Sequence, residues 1–502
     1  MHTVHTVHTV HYLLYGRAAQ SCLGLVAVAL GCVAPPPPTI PWTGVCEHDL
    51  SEAELGGSND SPIRDVAVTV HASVATILKV SWTQTNESEA VWIEYTFEND
   101  NWLHSPERGG LPGSHHELLL GVPGDTDVRF RIVTRKGERR TETARQCRRT
   151  GTVPHGMPRP TVAHYDRALA SEHRWMFGSV EATRHQDAYR DGPYWLYIID
   201  RAGRIVWYYR DRAYNPEMAF PRLARDGSHL IVEKKQFVGG VLQGRIMRFD
   251  LDLERIDRIE VPGMDDCYDI TDDGSILFNT RAHSGPRAYL KERGPTGVIR
   301  NIWDCSQWAD DRQIEHRSRC YTNTVNWNPA DDTVLLSMPY LNTIVQVDRV
   351  SGELVAEWGD KAIGGWRFSP ATWGFGFNHW ANLTSDGTLL VSSHMPGFDD
   401  RDPPGEHGFL EFELDRTNKI LREKWFYKNT RDWPRARGMA QRLANGNTLG
   451  NYGTGGTIQE VTPELQLAWD VRWDADFPNS YFNRLVGHNT FLDNLYELTA
   501  GP

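Results

Sequence analysis

A two-part strand pattern recurs through the C-terminal two thirds of this chain, and few folds accommodate it. Its clearest copy is Arg437 to Trp469, RGMAQRLANGNTLGNYGTGGTIQEVTPELQLAW. There an apolar strand runs into Asn445-Gly446 and a second short strand follows; Asn-Gly between apolar runs is the strongest local hairpin signal. The second half predicts another hairpin, from IQEV through a polar turn at Pro463 and Glu464 to a strand ending on Trp469. This outer hairpin, whose first strand often ends in an acid and second in Trp, recurs as YIIDRAGRIVWYY (Asp200, Trp207), IMRFDLDLERIDRIEV (Asp250) and GPTGVIRNIW (Trp303). It returns as IVQVDRVSGELVAEW (Asp348, Trp358) and EFELDRTNKILREKW (Asp415, Trp425). The inner pair, built on Asp-Gly or an equivalent turn, recurs as PRLARDGSHLIVEK, YDITDDGSILFN, VNWNPADDTVLLS, ANLTSDGTLLVSS and AQRLANGNTLGN. Four strands per repeat at a period of about fifty residues marks a β-propeller, and six copies predict six blades over 160–502. The tail YFNRLVGHNTFLDNLYEL is expected to supply the strand or cap that closes the ring, since open sheet edges invite aggregation.

Upstream the chain changes character. Arg17 precedes CLGLVAVALG, an apolar run of signal-peptide length that is too short to span a bilayer. It ends in Ala29-Leu30-Gly31-Cys32, which resembles a bacterial lipobox, so 1–32 is read as an export signal with Cys32 as a lipidation site; plain cleavage and secretion is the alternative. Either way the chain is expected to be extracytoplasmic, in the periplasm or anchored at the outer membrane. The proline-rich 33–64 is expected to be a semi-rigid spacer. From 65 to 150, short alternating strands (VAVTVHA, ATILKVSWTQ, AVWIEYTFE, HHELLLGV, DVRFRIVTRKG) predict a small immunoglobulin- or fibronectin-like β-sandwich. The fold class is therefore all-β, a sandwich followed by a propeller. In an oxidising compartment Cys46 and Cys147 are expected to bridge, as are Cys305 and Cys320, leaving Cys267 as a buried thiol. The basic run Arg135–Arg149 reads as a solvated strand edge or linker, or alternatively as an anion or polysaccharide contact. A formal net charge of −12 gives no reason to expect nucleic acid.

In a propeller, residues just before and after the inner strands line the channel, so a ligand site is expected there. They are Asp266, Cys267, Tyr268 and Asp269; Tyr321 and Asn323; Asn378 and His379; Arg437 and Gln441; and Lys234, Arg281, His283, Ser337 and His394. His379, in FGFNHWANL, is the sharpest: a neutral imidazole there could be nucleophile or base, or simply satisfy a carbonyl in the wall. Arg281 and Arg437 could grip an oxyanion with forked donors, or tie a loop to a carboxylate. Asp399, Asp400 and Asp402 lack the spacing and closing Glu of an EF-hand.

AQRLANGNTLGNYGTGGTIQEVTPELQLAW resembles the strand-turn-strand of the bacterial arylsulfate sulfotransferase family. YTNTVNWNPADDTVLLSMPYLNTIVQVDRVSGELVAEWG is similar to an earlier blade of that family, and FNHWANLTSDGTLLVSS to the blade carrying its catalytic histidine. The resemblance spans roughly residues 160–500. It implies a six-bladed propeller that moves sulfuryl groups from an aryl sulfate donor to a phenolic acceptor through a sulfated histidine, with no nucleotide donor, metal or other cofactor. The nucleophile would be His379 and the channel asparagine Asn323, with Tyr321, Arg281, Arg437, Asn378 and Tyr268 as substrate-binding groups. The sequence departs from the family where Tyr321 and Cys267 or Tyr268 stand in for histidines, and Met338 or Pro339 for an arginine; Arg281, Arg437 or Lys234 would have to compensate. Two other functions stay open: a non-catalytic envelope-binding propeller, and a calcium-dependent hydrolase using Asp269, Asn279, Asn323 and Asn378.

Overall fold

The computed structural model describes Cys46 and residues 60–98, 101–181, 194–210, 218–238, 241–265, 267–280, 288–315, 320–360, 365–371, 374–394, 407–429, 437–473 and 486–499. The signal-like segment, Cys32 and the proline run lie outside these residues, as do Asp266, Arg281, His283, Asp399, Asp400 and Asp402.

The described chain is all-β apart from one short helix and three single helical turns. From Trp175 onward it forms six sheets in succession, antiparallel except for the strand Arg367–Ser369, which pairs parallel. The second to sixth begin with an innermost strand: Arg222–Leu223, Tyr268–Ile270, Thr324–Asn328, Gly376–Leu383 and Met439–Arg442. The first takes its innermost strand from the other end of the chain, because Val486–Leu492 pairs antiparallel with Trp175–Glu181. The fifth and sixth sheets each carry one extra outer strand, Arg367–Ser369 and Thr161–Tyr165. The helix Cys305–Asp311, capped by Asp304, starts at the Cys305–Cys320 disulfide.

The acid and tryptophan of the repeat have separate physical jobs. Asp200 accepts from the Ala202 and Arg204 amides, Asp348 from those of Val350 and Ser351, and Asp415 from that of Asn418, so each folds its own hairpin turn. The tryptophan fastens one sheet to the next. Trp207 Nε1 donates to the Leu251 carbonyl, Trp425 Nε1 to that of Pro463, and Trp469 Nε1 to that of Arg201. The last of these joins the sixth sheet to the first. A hydrogen-bonded indole N–H fixes orientation as well as burying area; Trp358 of the fourth sheet is the exception, fully buried with no partner for Nε1 among the described residues.

The innermost strands surround a cavity of ≈ 360 Å³, to which Arg222, Asp269, Asn326, Asn382, Gln441 and Thr490 contribute, one from each sheet.

Residues 60–149 form two further antiparallel sheets. One is Ile63–Val70, Leu78–Gln84 and Gly113–Leu119; the other centres on Ser88–Thr96 and Asp127–Lys136. Val80, Ile93, Phe130 and Ile132 are each fully buried between them. This core is continuous with that of the first of the six sheets. Thr76 donates to the Val206 carbonyl, and Tyr496 donates to Tyr95 and to the Leu118 carbonyl. Cys46 is bridged to Cys147 as expected. The basic run resolves into surface pairs, Arg135 with Glu107, Arg140 with Glu94 and Arg149 with Asp127, with Arg145 over the Trp102 ring.

The two disulfides fit an oxidising, extracytoplasmic setting. No helix among the described residues is long and apolar enough to cross a membrane.

Candidate active site

His379 stands near the start of the innermost strand of the fifth sheet, where the ladder to Leu389–His394 slips between Gly376 and Trp380. Such irregularities bend a strand and re-aim its side chains. Phe377, just before, holds φ +50°, a conformation bulky residues avoid, and its amide is secured by Asn342 Oδ1 at 2.8 Å. On the other side Gly438, at φ +147°, brings its backbone against His379; an added Cβ there would meet Ser392 Oγ at 2.8 Å and lie 3.6 Å from His379 Cβ.

The neighbouring fourth sheet locks the histidine in register. Thr324 donates to the His379 carbonyl and Asn326 to that of Ala381. Asn323, immediately before its strand, donates through Nδ2 to the Asn378 carbonyl at 3.0 Å and meets His379 Nδ1 at 3.2 Å. With Nδ1 accepting, the single imidazole proton sits on Nε2. His379 Nε2 is buried and has no hydrogen-bond partner among the described residues.

His379 is followed outward by two more buried imidazoles of the same sheet. His394 lies edge-on to it with ring centroids 5.6 Å apart, and His407 follows at 5.0 Å, hydrogen-bonded to Ser392. Burial, reinforced by the mutual repulsion of these rings, holds His379 and His407 well below the ordinary histidine pKa. His379 is therefore neutral at pH 7, as nucleophilic or basic use requires.

The remaining expected site residues divide into groups. Asn323, Asn378 and Ser337 gather at His379: the Ser337 hydroxyl donates to the Asn378 carbonyl, and the Asn378 amide reaches Ser337 Oγ. Tyr321 is linked to His379 by a chain of ring contacts through Tyr340 and Phe377. Tyr268 is not a free ligand group: it is completely buried and its hydroxyl donates to the Phe220 carbonyl. Arg437 lies with its guanidinium 5.2 Å from the Phe220 ring. Cys267 is buried beside Asn279 and the Thr322 carbonyl. The four oxygen donors offered for calcium each have protein partners, Asn279 accepting from the Cys267 thiol. Asp269 is paired with Arg222 at 3.0 Å and accepts from the Ile270 and Trp327 amides, while Asn323 and Asn378 are engaged at His379.

The sequence reading missed Arg222, Trp380, His407 and His488. His488 is wedged between Phe220 and Trp380, 4.3 Å from each ring centroid, while Arg222 lies 5.4 Å over Trp380. Burial, with Arg222 and Arg437 nearby, keeps His488 neutral. His407 could have been found by treating VSSH and HGFLEF as a hairpin, which sets His394 and His407 directly opposite each other.

No family model matches the chain, and no curated protein matches it in sequence. Among solved structures, a protein of unknown function from Bacteroides caccae is 13% identical, covering 60% of this chain and 93% of its own, with a TM-score of 0.39. A streptogramin B lyase is 12% identical, covering 66% and 98%, with a TM-score of 0.36. The periplasmic gluconolactonase of Pseudomonas aeruginosa is 13% identical, covering 62% and 99%, with a TM-score of 0.35. Likeness at this level carries no weight for activity.

Proposed function

We propose that the six sheets are the blades of a β-propeller carrying an immunoglobulin-like sandwich, and that His379 transfers a sulfuryl group from an aryl sulfate to a phenol. One observation carries this reading. A buried, neutral imidazole is held through Nδ1 by Asn323, while its Nε2 has no partner among the described residues. Burying an imidazole edge without a hydrogen bond is costly, and a reacting atom is a good reason to do so.

In the reaction the Nε2 lone pair attacks sulfur, the N–S bond forms as the S–O(aryl) bond breaks, and the donor leaves as phenolate. The acceptor phenol then attacks the sulfohistidine, restoring the imidazole, and its proton balances the phenolate released. Attack requires the imidazole proton on Nδ1 rather than Nε2. Turning the Asn323 amide supplies an acceptor for it, since Asn323 Oδ1 has no partner among the described residues.

The test is intact mass after brief exposure to a chromogenic aryl sulfate. A sulfuryl adduct with phenol release, absent from His379→Ala and retained by Asn323→Asp, supports the transferase. The second reading, a binding propeller without chemistry, is favoured by Tyr268, whose hydroxyl is spent on the Phe220 carbonyl, Cys267 or Tyr268 standing where the family it resembles has a histidine. Neither adduct nor phenol release from folded wild type, with several donors, would select it.

A further inference from the structure

The cavity and His379 occupy different parts of the channel. Asn323 and His379 stand near the start of their strands, whereas the cavity is walled by later residues of the same segments, Asn326, Trp380, Asn382 and Leu383. We propose that this cavity is a separate binding site for a small, uncharged ring compound bearing a hydroxyl group.

The charges on its wall are already compensated. Arg222 is paired with Asp269 at 3.0 Å, and Arg225 lies 3.6 Å from Asp269 and 3.8 Å from Asp272. Asp269 on the wall and the exposed Asp272 just outside it balance the two arginines, so little charge is left to recruit an ion, and a charged ligand would lose its hydration without return. The uncompensated groups are dipolar. Asn382 Oδ1 is a buried acceptor and Arg222 Nε a buried donor, and neither has a hydrogen-bond partner among the described residues. A hydroxyl can both donate to one and accept from the other, and the half-buried Gln441 amide lies on the same wall. Leu335, Leu383 and the Trp380 indole supply the apolar surface a ring would cover. Size agrees: an apolar cavity of about 150 Å³ holds benzene, and small-molecule sites begin near 300 Å³. This inference does not depend on His379 chemistry.

The experiment is fluorine NMR line broadening of 4-fluorophenol, which is neutral at pH 7, with the full exported chain. Saturable broadening displaced by phenol, but not by benzenesulfonate or methyl glucoside, is expected. Gln441→Leu and Asn382→Leu should each weaken binding at least about 5-fold, the loss of one buried hydrogen bond, while His379→Ala leaves it unchanged. No broadening up to about 20 mM, weaker than any specific site of this size, would overturn the proposal. So would preferential displacement by the sulfonate or the glucoside, or loss of binding in His379→Ala with retention in both amide variants.

Discussion

Mild acid should destabilise this chain through its buried histidines, and a buried glutamate should conceal half of the effect. His379, His407 and His488 are all neutral in the fold, held well below the usual value mainly by burial. Unfolding releases them to bind protons near pH 6.5, so the unfolded state takes up more protons and stability falls as pH drops below that value. Between pH 7.5 and 5.5 three such groups together cost about 4 kcal/mol. Glu233 works in the opposite sense. Fully buried and accepting from the Ala219 and Phe220 amides, its carboxyl is pushed up to about 7 by desolvation. Below that pH it holds a proton that an unfolded carboxyl releases until about 4.5, so acidification over the same window favours the fold by about 2 kcal/mol. Asp200 and Asp250, also raised by burial, act with Glu233, and the lowered His71 acts with the other histidines. Stopping at pH 5.5 limits the aspartate share. Urea unfolding at the two pH values should therefore show wild type losing about 2 kcal/mol and Glu233→Gln losing about 4. A loss in Glu233→Gln no greater than in wild type, at unchanged m-value, would refute the opposed-titration account.

Three further perturbations test the architecture. Gly450→Ala should cost about 1–3 kcal/mol in urea unfolding, because the new Cβ falls 2.1 Å from the Phe409 ring in a filled core. Arg222→Met should cost about 3 kcal/mol or more by the same measurement, since it leaves the 7% exposed Asp269 side chain without its nearest cation. Replacing Cys46 and Cys147 with serine should lower stability by about 4.7 kcal/mol, against about 3 for Cys305 and Cys320, from separations of 101 and 15 residues. Equal losses would show that loop closure does not set the difference.

The hairpins were legible because their chemistry is local. Gly446 takes φ +89° at the Asn-Gly turn, and Asp348 or Asp415 caps its own bend, so each turn is written in adjacent residues. The two disulfide pairings were also legible, from compartment and spacing. His379 and Asn323 could be nominated from the strand starts, but the slip in register that aims His379, and Phe377 at φ +50°, depend on the neighbouring sheet. Nothing in its local sequence singled out Arg222. Its role emerges only when Asp269 and Asn326, from two other sheets, are brought to 3.0 and 3.3 Å. Tyr268 shows the converse: its position suggested a ligand group, and the Phe220 carbonyl had already claimed its hydroxyl.

The pairing of Val486–Leu492 with Trp175–Glu181, and the bond from Tyr496 to Tyr95 across 401 residues, have a kinetic meaning. A ribosome delivers Trp175 long before it delivers Val486, so the first sheet must wait with one edge unpaired while the other five are made. During that interval the waiting edge can recruit a strand from another copy. Holding that edge apart until the last residues arrive is work for a chaperone, and a nascent chain stalled before Val486 should be the species such a chaperone captures.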